Sequence, residues 1–320
     1  MKFSVLGAGR WGSFIAWYLN KIGNDVTLWG RPSGKKIQQL LINRQNDYVT
    51  IPDSINLSTD LRESIENSDY IVISISSQGL RGLAEEITQI NGFENKKYIL
   101  CMKGVEKTTG SRLSTILIDT GFPKDNIAVW VGPGHIQSFV SEIPSVMIID
   151  SYNDELSKFL AKNLRSDLIR FYQGKDIIGS EIGAAAKNVM GLAAGLLDGM
   201  GYSTLKGGLM ARGSREVARL IEACGGNPLS AYGLCHLGDY EATLFSEFSH
   251  NRKWGELFAQ DKSFDKLAEG VDTSEALLKL ASKYNVELPI TKTVYDVIHK
   301  NITKQEAIKF LFDRNNLYEF

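Results

Sequence analysis

The stretch Lys2 to Gly12, KFSVLGAGRWG, restricts the fold of this chain more than any other. A short apolar run of Phe3, Val5 and Leu6 stops at Gly7, and Gly9 and Gly12 follow before a helical pattern begins at Ser13. Strand, glycine turn and helix in that order make a dinucleotide-binding unit. Gly7 permits the tight turn, Gly9 lets the backbone approach a pyrophosphate, and Gly12 lets helix and strand pack closely. The N-terminus of the helix offers unpaired N–H groups and a partial positive charge to phosphates. Arg10 and Trp11, inside the turn, are counted with it as cofactor-binding. Glycine triplets also occur in ordinary turns; a strand before this one and a helix after it give it meaning.

The first half of the chain continues to alternate strand and helix. Asp25 to Trp29 reads as a second strand, at whose end a dinucleotide site usually places an acidic residue for the adenosine ribose. Here Gly30-Arg31 stands instead, with Lys35 and Lys36 close behind. A basic group at that point suits a 2′-phosphate, so the expected cofactor is NAD or NADP, with Arg31 permitting NADP. The alternative is that Arg31 stacks on adenine or faces solvent. Asp69 to Ser74, Tyr98 to Met102 and Ile127 to Val131 are nearly continuous apolar strands of the kind buried on both faces of a parallel sheet. They end in Ser76-Ser77-Gln78, Lys103-Gly104 and Gly132-Pro133-Gly134-His135, at the carboxyl ends where open α/β sheets bind ligands. Ser76 and Lys103 are therefore candidate ligand contacts. Ser145 to Ile149 and Leu168 to Tyr172 close the sheet. The expected fold is an α/β N-terminal Rossmann-like domain with a mostly parallel sheet, residues 1–178, followed by an all-α C-terminal domain, residues 179–320.

The first helix of that second domain, SEIGAAAKNVMGLAAGLLDGMG, carries Lys187 among small and apolar residues. At 3.6 residues per turn Gly183, Ala184, Gly191, Ala194 and Asp198 share its side, a face that a neighbouring helix or a ligand can approach closely. Burial favours the neutral form of a lysine there, which general acid–base chemistry near neutrality requires. A structural lysine paired with Asp198 or Asp239 is the competing interpretation. Further on, Gly233 to Gly255, if helical, lines up Asp239, Thr243, Ser246 and His250 along one side, with Asn251, Arg252 and Lys253 following. Such a cluster suits a small, polar, anionic substrate.

Composition narrows the partners. A formal net charge of −1 over 320 residues gives no basic field for nucleic acid or an anionic membrane. No apolar run reaches the length of a membrane span. Cys101, Cys224 and Cys235 have no paired or zinc-like spacing and read as reduced thiols of a cytoplasmic protein. The N-terminus enters a strand at once, leaving no room for a signal peptide. The four histidines show no metal-ligand spacing, so no metal is expected. A small-molecule substrate and, as an open question, a second copy in a homodimer are the partners left.

GAGRWG, the Lys103-Gly104 pair, EIGAAAKNVMGLAAGLLDGMG, LGDYEATLFSEFSHNRKWG and AEGVDTS occur in the order seen in NAD(P)-dependent glycerol-3-phosphate dehydrogenases, which the chain resembles over roughly residues 3–275. The resemblance implies reduction of dihydroxyacetone phosphate to sn-glycerol 3-phosphate, or the reverse. Lys187 matches the proton-donating lysine, and Asn188, Asp239 and Thr243 match its partners around the substrate. Lys103 matches the second active-site lysine, which positions substrate and polarises the carbonyl. Asn251 and Arg252 match the last two residues of an Arg-Asn-Arg run that contacts substrate phosphate and cofactor. Glu269 matches a residue that approaches the cofactor from the helical domain. Three departures stand against this. The run Gly-Pro-(Ser/Thr)-Phe-Ala is Gly132-Pro133-Gly134-His135-Ile136-Gln137, the first arginine of Arg-Asn-Arg is His250, and a usual proline is Ser76. His250 keeps a donor but loses the fixed charge and fork of arginine. A related dehydrogenase for another small phosphorylated or hydroxy-acid substrate, and a non-catalytic cofactor-binding sensor, are the alternatives.

Overall fold

The computed structural model describes residues 1–313 and divides into two compact units. Met1–Lys103 and Arg112–Glu181 form the first; Gly104–Ser111 and the chain from Ile182 onward form the second. The first unit holds β1 (Lys2–Leu6), α1 (Arg10–Lys21), β2 (Asp25–Trp29), α2 (Lys35–Asn43), β3 (Ile55–Ser58), α3 (Leu61–Glu66), β4 (Tyr70–Ile73), α4 (Leu80–Ile87) and β5 (Lys97–Leu100). After the strap 104–111 come α5 (Leu113–Asp119), β6 (Ile127–Val131), α6 (Ile136–Val140), β7 (Ser145–Ser151), α7 (Asp154–Asn163) and β8 (Ile169–Gln173). The strands make one sheet in the order β3-β2-β1-β4-β5-β6-β7-β8. Every neighbouring pair is parallel except β6 and β7.

Alternation explains why these runs are apolar throughout. Val5, Val72, Ile99 and Trp130 feed one apolar layer with Phe14 and Tyr18 of α1, whereas Leu6, Ile73, Leu100 and Val129 feed another with Leu80 and Leu83 of α4. A strand buried on both faces has no polar side to show. The strand missing from the sequence reading, β3, is a four-residue edge with an exposed Asn56, too short and too polar to announce itself. The chain winds from β1 toward β3 on one side and from β4 onward on the other. The reversal therefore lies beside the carboxyl end of β1, where sheets of this kind bind ligands.

The last carboxylate of the sheet starts the next helix. Asp150 of β7 is buried and accepts from the N–H groups of Ser151 and Asp176, both at 2.9 Å, and from Ser180 Oγ at 3.0 Å. It thereby caps α8 (Ile177–Gly199). Burial nevertheless dominates and pushes the Asp150 carboxyl up to about 6, the hydrogen bonds opposing it. The folded protein thus binds a proton that the unfolded chain releases between about pH 4 and 6, so stability falls as pH rises through that window and then levels. Asp150→Asn is expected to remove this slope, on the order of 2–3 kcal/mol, from urea midpoints measured between pH 4 and pH 7. An unchanged slope would assign the titration to another group.

In the second unit α8 runs on, followed by α9 (Lys206–Ala223), α10 (His250–Ala259), α11 (Gly270–Lys283), α12 (Pro289–Ile298) and α13 (Lys304–Phe312). From Ile182 to Leu197 α8 is buried throughout, inside this unit. Its small face admits a helix: a Cβ on Gly195 would fall 2.0 Å from Arg252 O, and one on Gly255 2.3 Å from Leu192 O, so α8 and α10 touch backbone to backbone. No helix among the described residues is long and apolar enough to cross a membrane. Cys101, Cys224 and Cys235 are not joined by disulfides among the described residues.

Candidate active site

Gly7 follows β1 with φ +122°, and a Cβ there would lie 2.2 Å from Ser74 O. A Cβ on Gly12 would lie 1.8 Å from Gly7 O. Sterics within the chain therefore require both glycines. Gly9 is different, because a Cβ there would meet only Lys36 Nζ, at 3.9 Å. Gly9 is also the N-cap of α1, whose first turn has no side-chain cap and no acidic residue. An uncapped helix start beside an uncrowded glycine and an ammonium fits a dinucleotide pyrophosphate. Lys36, which the sequence offered only as a neighbour of Arg31, is brought to the turn itself.

The other cofactor candidates are distributed around this turn. The Trp11 ring packs on Phe14 and Phe139, with centroids 5.1 and 6.2 Å away, and its Nε1 is buried. Its backbone N–H lies in the first turn of α1. Arg10 lies over the Tyr48 ring. Arg31 is half-exposed and grips Glu86 through its two terminal guanidinium nitrogens, at 2.7 and 3.2 Å. Ser76 is exposed just beyond β4. Lys103, just beyond β5, donates to Gly132 O at 2.8 Å, across the carboxyl ends of β5 and β6. Gly134 has φ +146°, and a Cβ would lie 2.4 Å from the Phe139 ring, which explains why this turn carries glycine where the family run has Ser or Thr.

In the helical unit, Lys187 is buried in the middle of α8. Its ammonium meets Asp239 Oδ2 at 2.8 Å and donates to Thr243 Oγ1 at 3.0 Å. Asp198, the other partner the sequence allowed, is taken by Lys206 at 2.6 Å and Arg252 at 2.8 Å, and Ser203 donates to its second oxygen. These contacts hold the Asp198 carboxyl below its usual value against the opposing effect of burial.

Asp239 and Thr243 do not share one long helix with Ser246 and His250. Leu237–Asp239 is a 3-10 turn, Glu241–Phe245 is a π turn, Ser246 is extended, and α10 begins anew at His250. Ser249 caps α10 by accepting from Arg252 N–H, and Ser246 Oγ accepts from Phe248 N–H; these local bonds compete with helix continuation. A residue the sequence reading passed over holds the segment to α8. His236 is fully buried and its Nδ1 lies 2.9 Å from Gly183 O, one turn before Lys187. A carbonyl only accepts, so Nδ1 carries the hydrogen and Nε2 accepts from Tyr240 O–H at 2.6 Å. Burial drives the imidazole down to about 4, leaving it neutral at physiological pH. The i, i+4 spacing of His236 and Tyr240 was the available signal.

The remaining candidates divide. Asn251 donates to Asn188 Oδ1 at 3.0 Å and accepts from the N–H of Gly270 at 2.9 Å, joining α10, α8 and α11. Glu269 is the N-cap of α11. The His250 ring meets Phe264 edge-on at 5.9 Å. Arg252 turns toward Asp198, Glu256 and the Ser246 carbonyl, apart from the Lys187 cluster's own bonds.

Comparison with known proteins gives one answer over the whole length. Residues 2–157 match the family described as NAD-dependent glycerol-3-phosphate dehydrogenase N-terminus, and residues 176–309 match the corresponding C-terminus. A glycerol-3-phosphate dehydrogenase [NAD(P)+] of Thermoanaerobacter sp. (strain X514) is 33% identical, the alignment covering 100% of this chain and 99% of the relative. The crystal structure of glycerol-3-phosphate dehydrogenase from Coxiella burnetii superposes with a TM-score of 0.89 at 26% identity, covering 98% of this chain and 99% of that one. A D-mandelate dehydrogenase structure shares the fold alone, with a TM-score of 0.65 at 16% identity, covering 96% of this chain and 99% of that one.

Proposed function

Because this chain belongs to the NAD(P)-dependent glycerol-3-phosphate dehydrogenase family, we propose that it reduces dihydroxyacetone phosphate to sn-glycerol 3-phosphate, reversibly, with Lys187 as proton donor. The observation that carries the proposal is the buried contact of Lys187 with Asp239 and Thr243. Hydride addition builds negative charge on the carbonyl oxygen, and an ammonium at that atom both stabilises the charge and gives up a proton to it. Asp239 fixes the ammonium's direction and offsets the cost of burying it. Lys103 polarises the same carbonyl in this scheme, and Thr243, Asn188 and Asn251 hold the substrate's polar groups. His250 and Arg252 serve its phosphate.

The cofactor would be held by Gly7, Gly9 and Gly12 with the N–H groups of Arg10 and Trp11, and by Ser76, Lys103, Arg252 and Glu269. When bound, the nicotinamide supplies the hydride. Residues 1–178 serve mainly the cofactor and residues 179–320 the substrate. The near-zero net charge and the sparse, unpaired spacing of the cysteines in sequence support a cytoplasmic enzyme without a nucleic-acid partner; assembly as a homodimer belongs to the same proposal, with sedimentation as its test.

Initial rates of NADH and NADPH oxidation with dihydroxyacetone phosphate, set beside a panel of 2-oxo acids and ketose phosphates, test the reading. Preference for dihydroxyacetone phosphate is expected; preference for another member of the panel overturns it. His250 in place of arginine favours one second reading, a different phosphorylated substrate, which the ketose phosphates address. The same assay discriminates cofactors. Arg31→Ala is expected to raise KM for NADPH more than KM for NADH, since a guanidinium released from Glu86 can pair with a 2′-phosphate. Equal changes for both would remove that role.

A further inference from the structure

The strap 104–111 leaves the nucleotide unit directly after Lys103 and returns to it at Arg112. It is closed on itself: Glu106 N–H donates to Ser111 O at 2.9 Å and Gly110 N–H donates to Glu106 O at 2.8 Å. Its seat is α11. Lys107 is gripped at both ends, its ammonium by Asp272 at 2.9 Å and Glu275 at 3.3 Å, its carbonyl by Lys279 Nζ at 2.9 Å. Lys279 also pairs with Glu275 at 3.0 Å. Four charges acting as a network hold a segment better than one surface pair. Gly110, at φ +69°, lies so close that a Cβ would fall 2.9 Å from Leu280 N and 3.3 Å from Ala276 O.

The first turn of α11 is set on the helix that bears Lys187. Gly270 N–H reaches Asn251, whose amide donates to Asn188, the residue next to Lys187. A Cβ on Gly270 would lie 2.6 Å from Asn188 O. One helix therefore binds the neighbour of Lys187 at its start and, along its next turns, the segment covalently continuous with Lys103.

We propose that α11 is a strut for the strap, and that Lys107 and Gly110, by fixing the strap to it, are positioning residues for Lys103. The proposal rests on the reading that Lys103 and Lys187 act on one carbonyl. Misplacing a reacting group by about 1 Å can cost 10²-fold, and a loosened strap is expected to cost less, roughly 3- to 10-fold in kcat.

The test uses the full-length enzyme under saturating cofactor. Lys107→Met and Gly110→Ala should lower kcat by that amount, with any rise in KM for the cofactor smaller than the fall in kcat, and Lys107→Arg should retain most of the activity. If Gly110→Ala does not fold, Lys107→Met carries the test alone. In a Lys103→Met background Lys107→Met should cause no further loss, because it acts only through Lys103; a general structural defect would multiply instead. A Lys107→Met enzyme with wild-type kcat, or one whose loss persists in the Lys103→Met background, overturns the strut. Should the wild type prefer another substrate of the panel, the reading of the substrate fails and the same variants are compared on that substrate. A wild type that turns over none of them overturns both.

Discussion

Lys187→Ala is expected to lower kcat for dihydroxyacetone phosphate reduction about 10²–10⁴-fold, the usual worth of a general acid, while binding of NADPH stays nearly unchanged. Chemistry and binding separate here because Lys187 belongs to the helical unit and the glycine turn to the other. The burial of the site makes the loss hard to compensate: Lys187 is 8% exposed, so little water can take over as proton source. Titration of cofactor fluorescence beside steady-state kinetics checks both halves. Activity within a few-fold of wild type would remove Lys187 from the role of proton donor.

Asp239→Ala should cost about 3–5 kcal/mol of stability as well as most of the activity, because it leaves the buried ammonium of Lys187 without its carboxylate. Asp239 is 1% exposed, so no solvent replaces it. The double variant Lys187→Met with Asp239→Leu is expected to regain most of that stability and none of the activity, since removing both charges removes the desolvation cost along with the chemistry. Chemical unfolding of the three proteins beside wild type measures this directly. A double variant no more stable than Asp239→Ala would mean that the carboxylate's value lies in holding the turn after His236 rather than in facing Lys187.

What was legible in the sequence was whatever rests on residues close together in the chain. The glycine turn after β1 is local, since Gly12 is needed because its own neighbour Gly7 places a carbonyl 1.8 Å from where a Cβ would sit. The parallel strands were legible because burial on both faces leaves an apolar run, and the short, half-polar β3 was not. The family motifs around Lys187 and Asp239 were also contiguous.

Partner choice was not legible in residue spacing, because it depends on which distant segments meet. By helical spacing Asp198 was as good a partner for Lys187 as Asp239; tertiary packing gave Asp198 to Lys206 and Arg252. The polar run from Gly233 to Gly255 looked like one helix, yet it folds as a 3-10 turn, a π turn and α10, and the Ser246 and Ser249 hydroxyls accept from backbone N–H groups at the break before α10. By itself the sequence determined a dinucleotide-binding turn and marked two lysines, Lys103 and Lys187, because turns and buried helices are written in short-range pattern. The family resemblance pointed to Asp239 beside Lys187, but only the tertiary structure showed that contact and decided which helix carries the strap behind Lys103. Hydrogen bonds and ion pairs form between atoms within about 3 Å of one another, and that proximity is a property of the folded chain.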